Sequence, residues 1–209
     1  MDTADETWIQ RLGDAPTDLE LRLEYAVWLA RQNRPARSRL LLLDVKQKKL
    51  RCKGGVCDGP GLTEREEVQL RKMDSEMYDL CRRLDPRWMV RVDPALAIPS
   101  GLSELGLKAA RVIVEFLGEE GWTYDGHGSV FQAPADAMGE MAKCAGPAVL
   151  IVHSSGLLDE CLTFQSPNDD LTDKLAARLD KIGAWSELYD ESIAMIHPTD
   201  YPGFSIGLG

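Results

Sequence analysis

The sequence predicts an α+β protein in which an all-helical N-terminal module precedes a small α+β domain with antiparallel hairpins. Apolar residues recur at intervals of three and four over about the first ninety residues, where nothing alternates with period two. Three prolines then interrupt the helical period within residues 85–103. Beyond them, short β-prone runs alternate with helical segments. We therefore assign residues 1–94 to the helical module and residues 103–209 to the α+β domain.

The first strong helical signal follows Thr17 and Asp18, either of which can cap a helix. Apolar residues form a stripe along one side of this helix, and Tyr25 and Trp28 make the stripe broader. We therefore expect the helix to be buried on more than one side. We also expect the two rings to share a core with the leucines at 40–43 rather than to form an exposed platform.

Two further helices follow in the N-terminal module. Pro35 suits the first turn of a helix, and the four leucines after it point in four directions about the axis, so this helix should lie between neighbours. Thr63 and Glu66 match a capping box. The apolar positions of the helix that they begin are Leu70, Met73, Met77, Leu80 and Leu84.

The C-terminal half contains both helical segments, with apolar residues every three or four positions, and short β-prone runs. A helical stripe runs through Leu105, Ala109, Val112, Ile113, Phe116 and Leu117. Two β-prone runs around a turn are predicted in residues 122–132, two more in 148–164, and a last one in 186–198. Between them, residues 134–144 and 169–182 are predicted helices.

Composition argues against several classes of function. Acidic side chains number 34 and basic ones 24, so the net charge of −10 disfavours binding to nucleic acid or to anionic lipid. No apolar run approaches the roughly 18 residues that span a bilayer, and the first ten residues lack the features of a signal peptide. The five cysteines suggest no disulfide framework. We therefore expect a cytoplasmic protein without nucleic-acid or membrane partners.

The stretch at 18–35 resembles the bacterial repeat-companion domain, a short helical module. The resemblance rests on Asp18, Arg22, Leu23, Tyr25, Ala26, Trp28, Leu29 and Pro35, which stand in the order of that family's pattern. It covers about the first ninety residues and none of the C-terminal half. Because no enzymatic activity comes with that family, the resemblance implies an accessory or interaction module.

A basic cluster reverses the overall charge locally. It begins with Arg31, Arg34, Arg37 and Arg39 and continues through further lysines and arginines to residue 53. Such a run often forms a solvated helix face. The alternative is docking to an acidic surface, either of a partner or of the acidic second half of this chain, and on that hypothesis the four arginines are candidate binding residues.

Catalytic candidates are few and incomplete. Cys161 and His153 flank a predicted hairpin and could form a thiol nucleophile with its base, although both residue types also suit a half-buried sheet. His127 and Asp125 lie two residues apart in a Gly-containing stretch, which a simple turn also explains. His197 closes a predicted strand and has no obvious partner.

The stretch at 52–61 invites two other hypotheses. Cys52 and Cys57 stand in a Gly-rich loop, but structural zinc usually needs four ligands, and no second close pair exists in the sequence. The glycines lack the preceding strand and the Lys-Ser/Thr ending of a phosphate loop. We therefore expect a connector, with no metal and no cofactor.

Two hypotheses for function remain. The first is a non-enzymatic interaction or accessory protein that binds another protein, for example as an acidic inhibitor, an immunity protein or a chaperone-like adaptor. The second is a small enzyme that uses a Cys/His pair in the C-terminal domain. The sequence does not indicate the oligomeric state.

Overall fold

The computed structural model describes residues 3–52, 62–122, 129–154, 157–162 and 169–201. It confirms the α+β class, because the described N-terminal part is helical and a four-stranded antiparallel sheet follows in the C-terminal part. The described residues up to Asp93 form one compact unit, and those from Pro94 form a second.

The first unit contains helices whose ends are set by local signals. Asp18 caps α2 by accepting from the backbone N–H groups of Glu20 and Leu21. Thr63 and Glu66 form the predicted capping box at the start of α4, and Pro35 occupies the first turn of α3, also as predicted. The helices are α1 (Thr3–Asp14), α2 (Leu19–Arg31), α3 (Pro35–Arg51), α4 (Glu64–Cys81) and α5 (Pro86–Val92).

The core of the first unit is built around α3. This helix contacts both α2 and α4, which confirms the prediction that it lies between neighbours. Leu40, Leu41 and Leu43 are fully buried, as are Tyr25 from α2 and Trp88 from α5. The leucine run therefore supplies apolar contacts on several sides of one helix.

The second unit combines helices with a small sheet. Its helices are α6 (Glu104–Glu120), α7 (Gly139–Cys144), α8 (Leu157–Leu162) and α9 (Asp169–Asp180), with single 3₁₀ turns at Pro94–Leu96 and Pro134–Asp136. Its strands are β1 (Phe131–Gln132), β2 (Leu150–His153), β3 (Ala184–Asp190) and β4 (Ile193–Pro198). The order in the sheet is β1-β2-β4-β3, and every neighbouring pair is antiparallel.

Both faces of the sheet are covered. Ile151 of β2 pairs with Met195 of β4, and these two side chains join a cluster with Ala145 and Ala148, which follow α7. Residues that alternate with them, such as Val152, are equally buried, while α6 contacts β2 and β4. Strands that are buried on both faces are continuously apolar, which is why β2 shows no period of two in the sequence.

Helix α6 passes very close to the chain that enters β2. A Cβ atom built on Gly106 would lie 2.2 Å from the backbone oxygen of Val149, far inside van der Waals contact. The hydroxyl of Ser103 also accepts from the Gly106 N–H and caps the helix. Glycine at position 106 therefore permits a separation that any side chain would prevent.

Several predictions for the C-terminal half were wrong in detail. Residues 157–162, expected to form a strand after a turn, form helix α8, and the single strand expected in 186–198 is a hairpin of β3 and β4. The helix expected from residue 134 starts only at Gly139, after a 3₁₀ turn. Short apolar runs fit a strand or a buried helix equally well, and tertiary packing decides between them.

Candidate functional site

A groove with a volume of about 400 Å³ lies along the outer side of α2, next to α1. We call it the Trp8–Trp28 groove. Its lining consists of Trp8 from α1 and of Glu20, Leu23, Glu24, Val27, Trp28 and Arg31 from α2. Val27 is 49% exposed, so the apolar centre of this surface is open to solvent.

Helical spacing explains why these residues share one surface. Glu20, Leu23, Val27 and Arg31 recur at intervals of three and four along α2 and therefore lie in one row. The opposite side of α2, which includes Tyr25, is buried in the core of the unit. The helix is thus apolar on its inner side and also at the middle of its outer row, and this explains its broad stripe in the sequence.

Aromatic rings form the floor at one side of the groove. The ring of Tyr25 stacks on Trp8, with centroids 5.8 Å apart, and on Trp28, with centroids 5.9 Å apart. Trp8 and Trp28 also touch at a tilt, with centroids 6.5 Å apart. Tyr25 is fully buried, as expected, whereas Trp28 is only partly buried, so one side of its ring is open to the groove. Trp28 also packs against Trp8, a residue that the sequence analysis did not single out.

A buried polar network holds this floor from behind. The Tyr25 hydroxyl donates to Asp5 Oδ1 at 2.5 Å and accepts from Trp88 Nε1 at 3.1 Å. The other carboxylate oxygen of Asp5 accepts from Arg34 at 2.6 Å and from Arg37 at 3.4 Å. Burial, with the Asp5 carboxylate next in importance, raises the pKa of Tyr25 well above its usual value. The phenol is therefore neutral and remains a donor at physiological pH.

A second buried network fastens the inner side of α2. Arg22, which is 1% exposed, lies 3.3 Å from the buried Asp44 carboxylate on α3. Its guanidinium also donates to the carbonyl oxygens of Pro16 and Val92, at 2.9 Å each. Lys48 lies 3.0 Å from the same Asp44, and burial lowers the pKa of its ammonium group. Removing one partner of such a buried pair leaves an uncompensated charge, so Arg22 has a structural role.

The four arginines proposed as binding residues have different environments. Arg34 and Arg37 pair with the buried Asp5, and Arg39 makes two hydrogen bonds to Glu76 on α4, at 2.6 and 2.8 Å. Arg31 is exposed on the rim of the groove and has no ion pair with any residue in the described part of the chain. Three of the four thus contribute to the fold, and Arg31 is the one available to a ligand.

The acidic groups on the rim have partners. Glu20 lies 3.6 Å from Lys49, and Glu24 lies 3.6 Å from Arg11. The Arg11 guanidinium also sits over the Trp8 ring, 4.5 Å from its centroid. These exposed contacts are weak individually, but they reduce the negative potential of the rim.

Two catalytic candidates of the second unit, Cys161 and His153, lie on a helix and on a strand. Cys161 is buried on α8, and burial, together with the carboxylates of Glu160 and Glu120, raises the pKa of its thiol to about 11. Nε2 of His153, at the end of β2, lies 2.8 Å from the side-chain oxygen of Gln132 on β1. At neutral pH this thiol is almost wholly protonated, which disfavours a role as nucleophile.

Other candidates from the sequence are only partly described. His127, Asp125 and Cys57 lie outside the described residues. Cys52 is disulfide-bonded, although the five cysteines suggested no disulfide framework. In the part of the chain that the structure describes, no three His, Cys, Asp or Glu side chains come together as a possible metal site.

His197 on β4 is buried between two aromatic rings, 5.2 Å from that of Trp185 and 4.6 Å from that of Tyr201, measured between centroids. Nε2 lies 3.5 Å from the Glu187 carboxylate, and the ring also interacts with the backbone of Pro147. Burial lowers the pKa of this imidazole, and the Glu187 carboxylate and the backbone of Pro147 oppose that effect only in part. A neutral histidine therefore fills the core here.

Comparison with known proteins adds no assignment. No family model, no curated protein and no solved structure matches the chain. The resemblance of residues 18–35 to the repeat-companion domain therefore stays a prediction. Among the helices that the structure describes, none has both the length and the apolar character required to cross a bilayer.

Proposed function

We propose that the chain is a non-enzymatic interaction protein whose first unit binds another protein at the Trp8–Trp28 groove. The observation that carries the proposal is the partly exposed pair Trp8 and Trp28 beside the exposed Val27, with both tryptophan rings stacked on the buried, hydrogen-bonded Tyr25. Tryptophan and arginine are the residue types that most often dominate the energy of protein interfaces. The groove and its rim contain both.

The environments of the motif residues support this interpretation. Asp18 caps α2, Arg22 joins α2 to α3 and α5 segments, and Tyr25 centres the buried network, so each has a role in folding. Trp28 has a partly exposed ring on the groove. An interaction role for this residue agrees with what the repeat-companion resemblance implies.

The rigidity of the floor favours binding. Tyr25, on which both tryptophans stack, is fixed by its two hydrogen bonds, and Asp5 is fixed in turn by two arginines. Side chains that are already ordered lose little conformational entropy when a partner binds. The groove is therefore prepared for binding before its partner arrives.

The test compares two matched charge insertions. Val27→Glu places a carboxylate in the middle of the groove, whereas Val68→Glu makes the same change at another exposed valine, on α4. Full-length wild-type and variant proteins are used to capture partners from extracts of the source organism, and each candidate is then remade and its affinity measured with purified components. We expect Val27→Glu to weaken binding at least tenfold and Val68→Glu to leave it unchanged.

If Val27→Glu and Val68→Glu bound the partner with equal affinity, the interface would not be at the Trp8–Trp28 groove. If purified wild-type protein bound none of the remade candidates, the proposed function would be wrong.

A further inference from the structure

The size of the Trp8–Trp28 groove limits what can fill it. A volume of about 400 Å³ lies at the lower end of the roughly 300–1,000 Å³ range of ligand pockets, and it accommodates one or two large apolar side chains. Its centre is lined by Trp8, Leu23, Val27 and Trp28, which offer no charged group. The anchor of a ligand is therefore apolar.

The geometry of the groove favours a helical ligand. The outer row of α2 from Glu20 to Arg31 extends over about 16 Å, or three turns. A second helix laid along it presents side chains at the same spacing of three and four. Strand addition has no sheet edge to join, because the described residues up to Asp93 contain no strand.

The rim charges indicate the sign of the ligand. Glu20 and Glu24 each have a cationic side chain within 3.6 Å. Arg31, in the last turn of α2, has no such counterion among the described residues. A carboxylate on the ligand could pair with Arg31, the only charged group on the rim that lacks a counterion among the described residues.

The spacing locates this carboxylate relative to the anchor. Arg31 follows Val27 by four residues, so it lies one helical turn, or about 6 Å, beyond the exposed centre of the groove. From these observations we propose that the groove binds an amphipathic helix of another protein, with a large apolar anchor over Val27 and an Asp or Glu one turn away that pairs with Arg31. This inference rests on the proposed function and specifies its partner.

The test selects ligands without assuming their identity. A displayed library of amphipathic helical peptides, randomised at apolar and polar positions, is selected on the full-length protein. We expect the enriched peptides to contain an acidic residue one turn from a large apolar residue. The dissociation constant of a synthetic representative is then measured for the wild type and for Arg31→Glu, with Arg71→Glu as the control at an exposed arginine on α4.

We expect Arg31→Glu to weaken the representative peptide about three- to tenfold, the range for a rim ion pair that is lost and replaced by repulsion. Exchanging the acidic residue of the peptide for Lys should restore its affinity for Arg31→Glu, whereas Arg71→Glu should bind both peptides as the wild type does. Circular dichroism confirms that each variant is folded, and Arg31→Gln gives a milder second test.

The outcomes that contradict the inference differ from those that contradict the proposed function. Peptides that bind the groove but show no acidic preference, or that ignore Arg31→Glu, overturn the inference alone. Failure to enrich any apolar-acidic helix overturns it as well. Peptides that bind Val27→Glu as tightly as the wild type remove the groove from both proposals. A dimer that Val27→Glu dissociates in sedimentation experiments would identify the occupant as a second copy of the chain.

Discussion

Tyr25→Phe removes one hydroxyl from the centre of the first unit while the ring keeps its packing. The hydroxyl makes two buried hydrogen bonds, as donor to Asp5 at 2.5 Å and as acceptor from Trp88 at 3.1 Å. After the substitution, the Asp5 carboxylate still has Arg34 and Arg37, but the indole N–H of Trp88 has lost its described acceptor. The variant therefore tests the floor of the groove directly.

The expected cost follows from these two bonds. A hydrogen bond to a charged group contributes about 1.5–3 kcal/mol, and leaving a buried donor unsatisfied costs about 1–3 kcal/mol. Because both losses arise from one hydroxyl and the site relaxes in part, we expect the free energy of unfolding to fall by about 2–4 kcal/mol. That is a large share of the roughly 5–15 kcal/mol by which a domain is stable.

Urea unfolding of the full chain, followed by tryptophan fluorescence, measures this loss. Hydrogen exchange of the α2 backbone amides assigns it to the first unit. Tyr78→Phe is the matched control, because Tyr78 is 59% exposed on α4 and its substitution should change stability by less than about 0.5 kcal/mol. If Tyr25→Phe were as stable as Tyr78→Phe, the buried network would have no energetic role and our reasoning about the groove floor would fail.

The pH dependence provides a second check on Tyr25. Burial raises the pKa of this phenol above its usual value of 10.0, so above pH 10 the folded protein keeps a proton that the unfolded chain releases. The stability that this residue contributes is complete below pH 10 and is lost as the pH rises beyond it. The difference in stability between wild type and Tyr25→Phe should therefore shrink above pH 10, and a constant difference would contradict the assignment.

Three further predictions concern other positions. Gly106→Ala should lower the free energy of unfolding by about 1–3 kcal/mol in chemical denaturation, because its methyl group would overlap a backbone oxygen. Gly13→Ala is the control within α1: its methyl group meets open space, so it should raise the free energy of unfolding by about 0.5–1 kcal/mol. Equal effects of the two variants would contradict the close approach at Gly106. Burial holds the pKa of His197 below its usual 6.5, so below pH 6.5 the unfolded chain binds a proton that the folded protein does not, and stability should fall with acidification. His197→Phe should reduce this loss of stability in acid unfolding experiments. Parallel acid unfolding curves of the wild type and the variant would contradict this reasoning. Because the pKa of Cys161 is raised to about 11 from the usual 9.0, its thiolate fraction at neutral pH is about a hundredfold lower than that of an unperturbed thiol. Iodoacetamide should therefore label the half-buried Cys144 before Cys161, as measured by peptide mass mapping. Faster labelling of Cys161 would support the enzyme hypothesis.

Features that depend on neighbours in the chain could be predicted from the sequence. The capping box at Thr63 and Glu66, the proline in the first turn of α3 and the burial of three of the four leucines at 40–43 agree with the predictions. Each involves groups within one or two helical turns, so the physical cause lies within a short segment. The α+β class followed in the same way, from the period of apolar residues in each half.

Tertiary structure alone decided which side chains are available for binding. Arg31, Arg34 and Arg37 cannot be distinguished by their sequence pattern. Asp5, about 30 residues away on α1, forms ion pairs with Arg34 and Arg37, and Arg31 stays exposed. Trp28 likewise faces a groove because Trp8 arrives beside it from another helix. Burial, the pairing of charges and the opening of a groove are set by contacts between distant segments, and helical spacing carries no information about which distant residue will arrive.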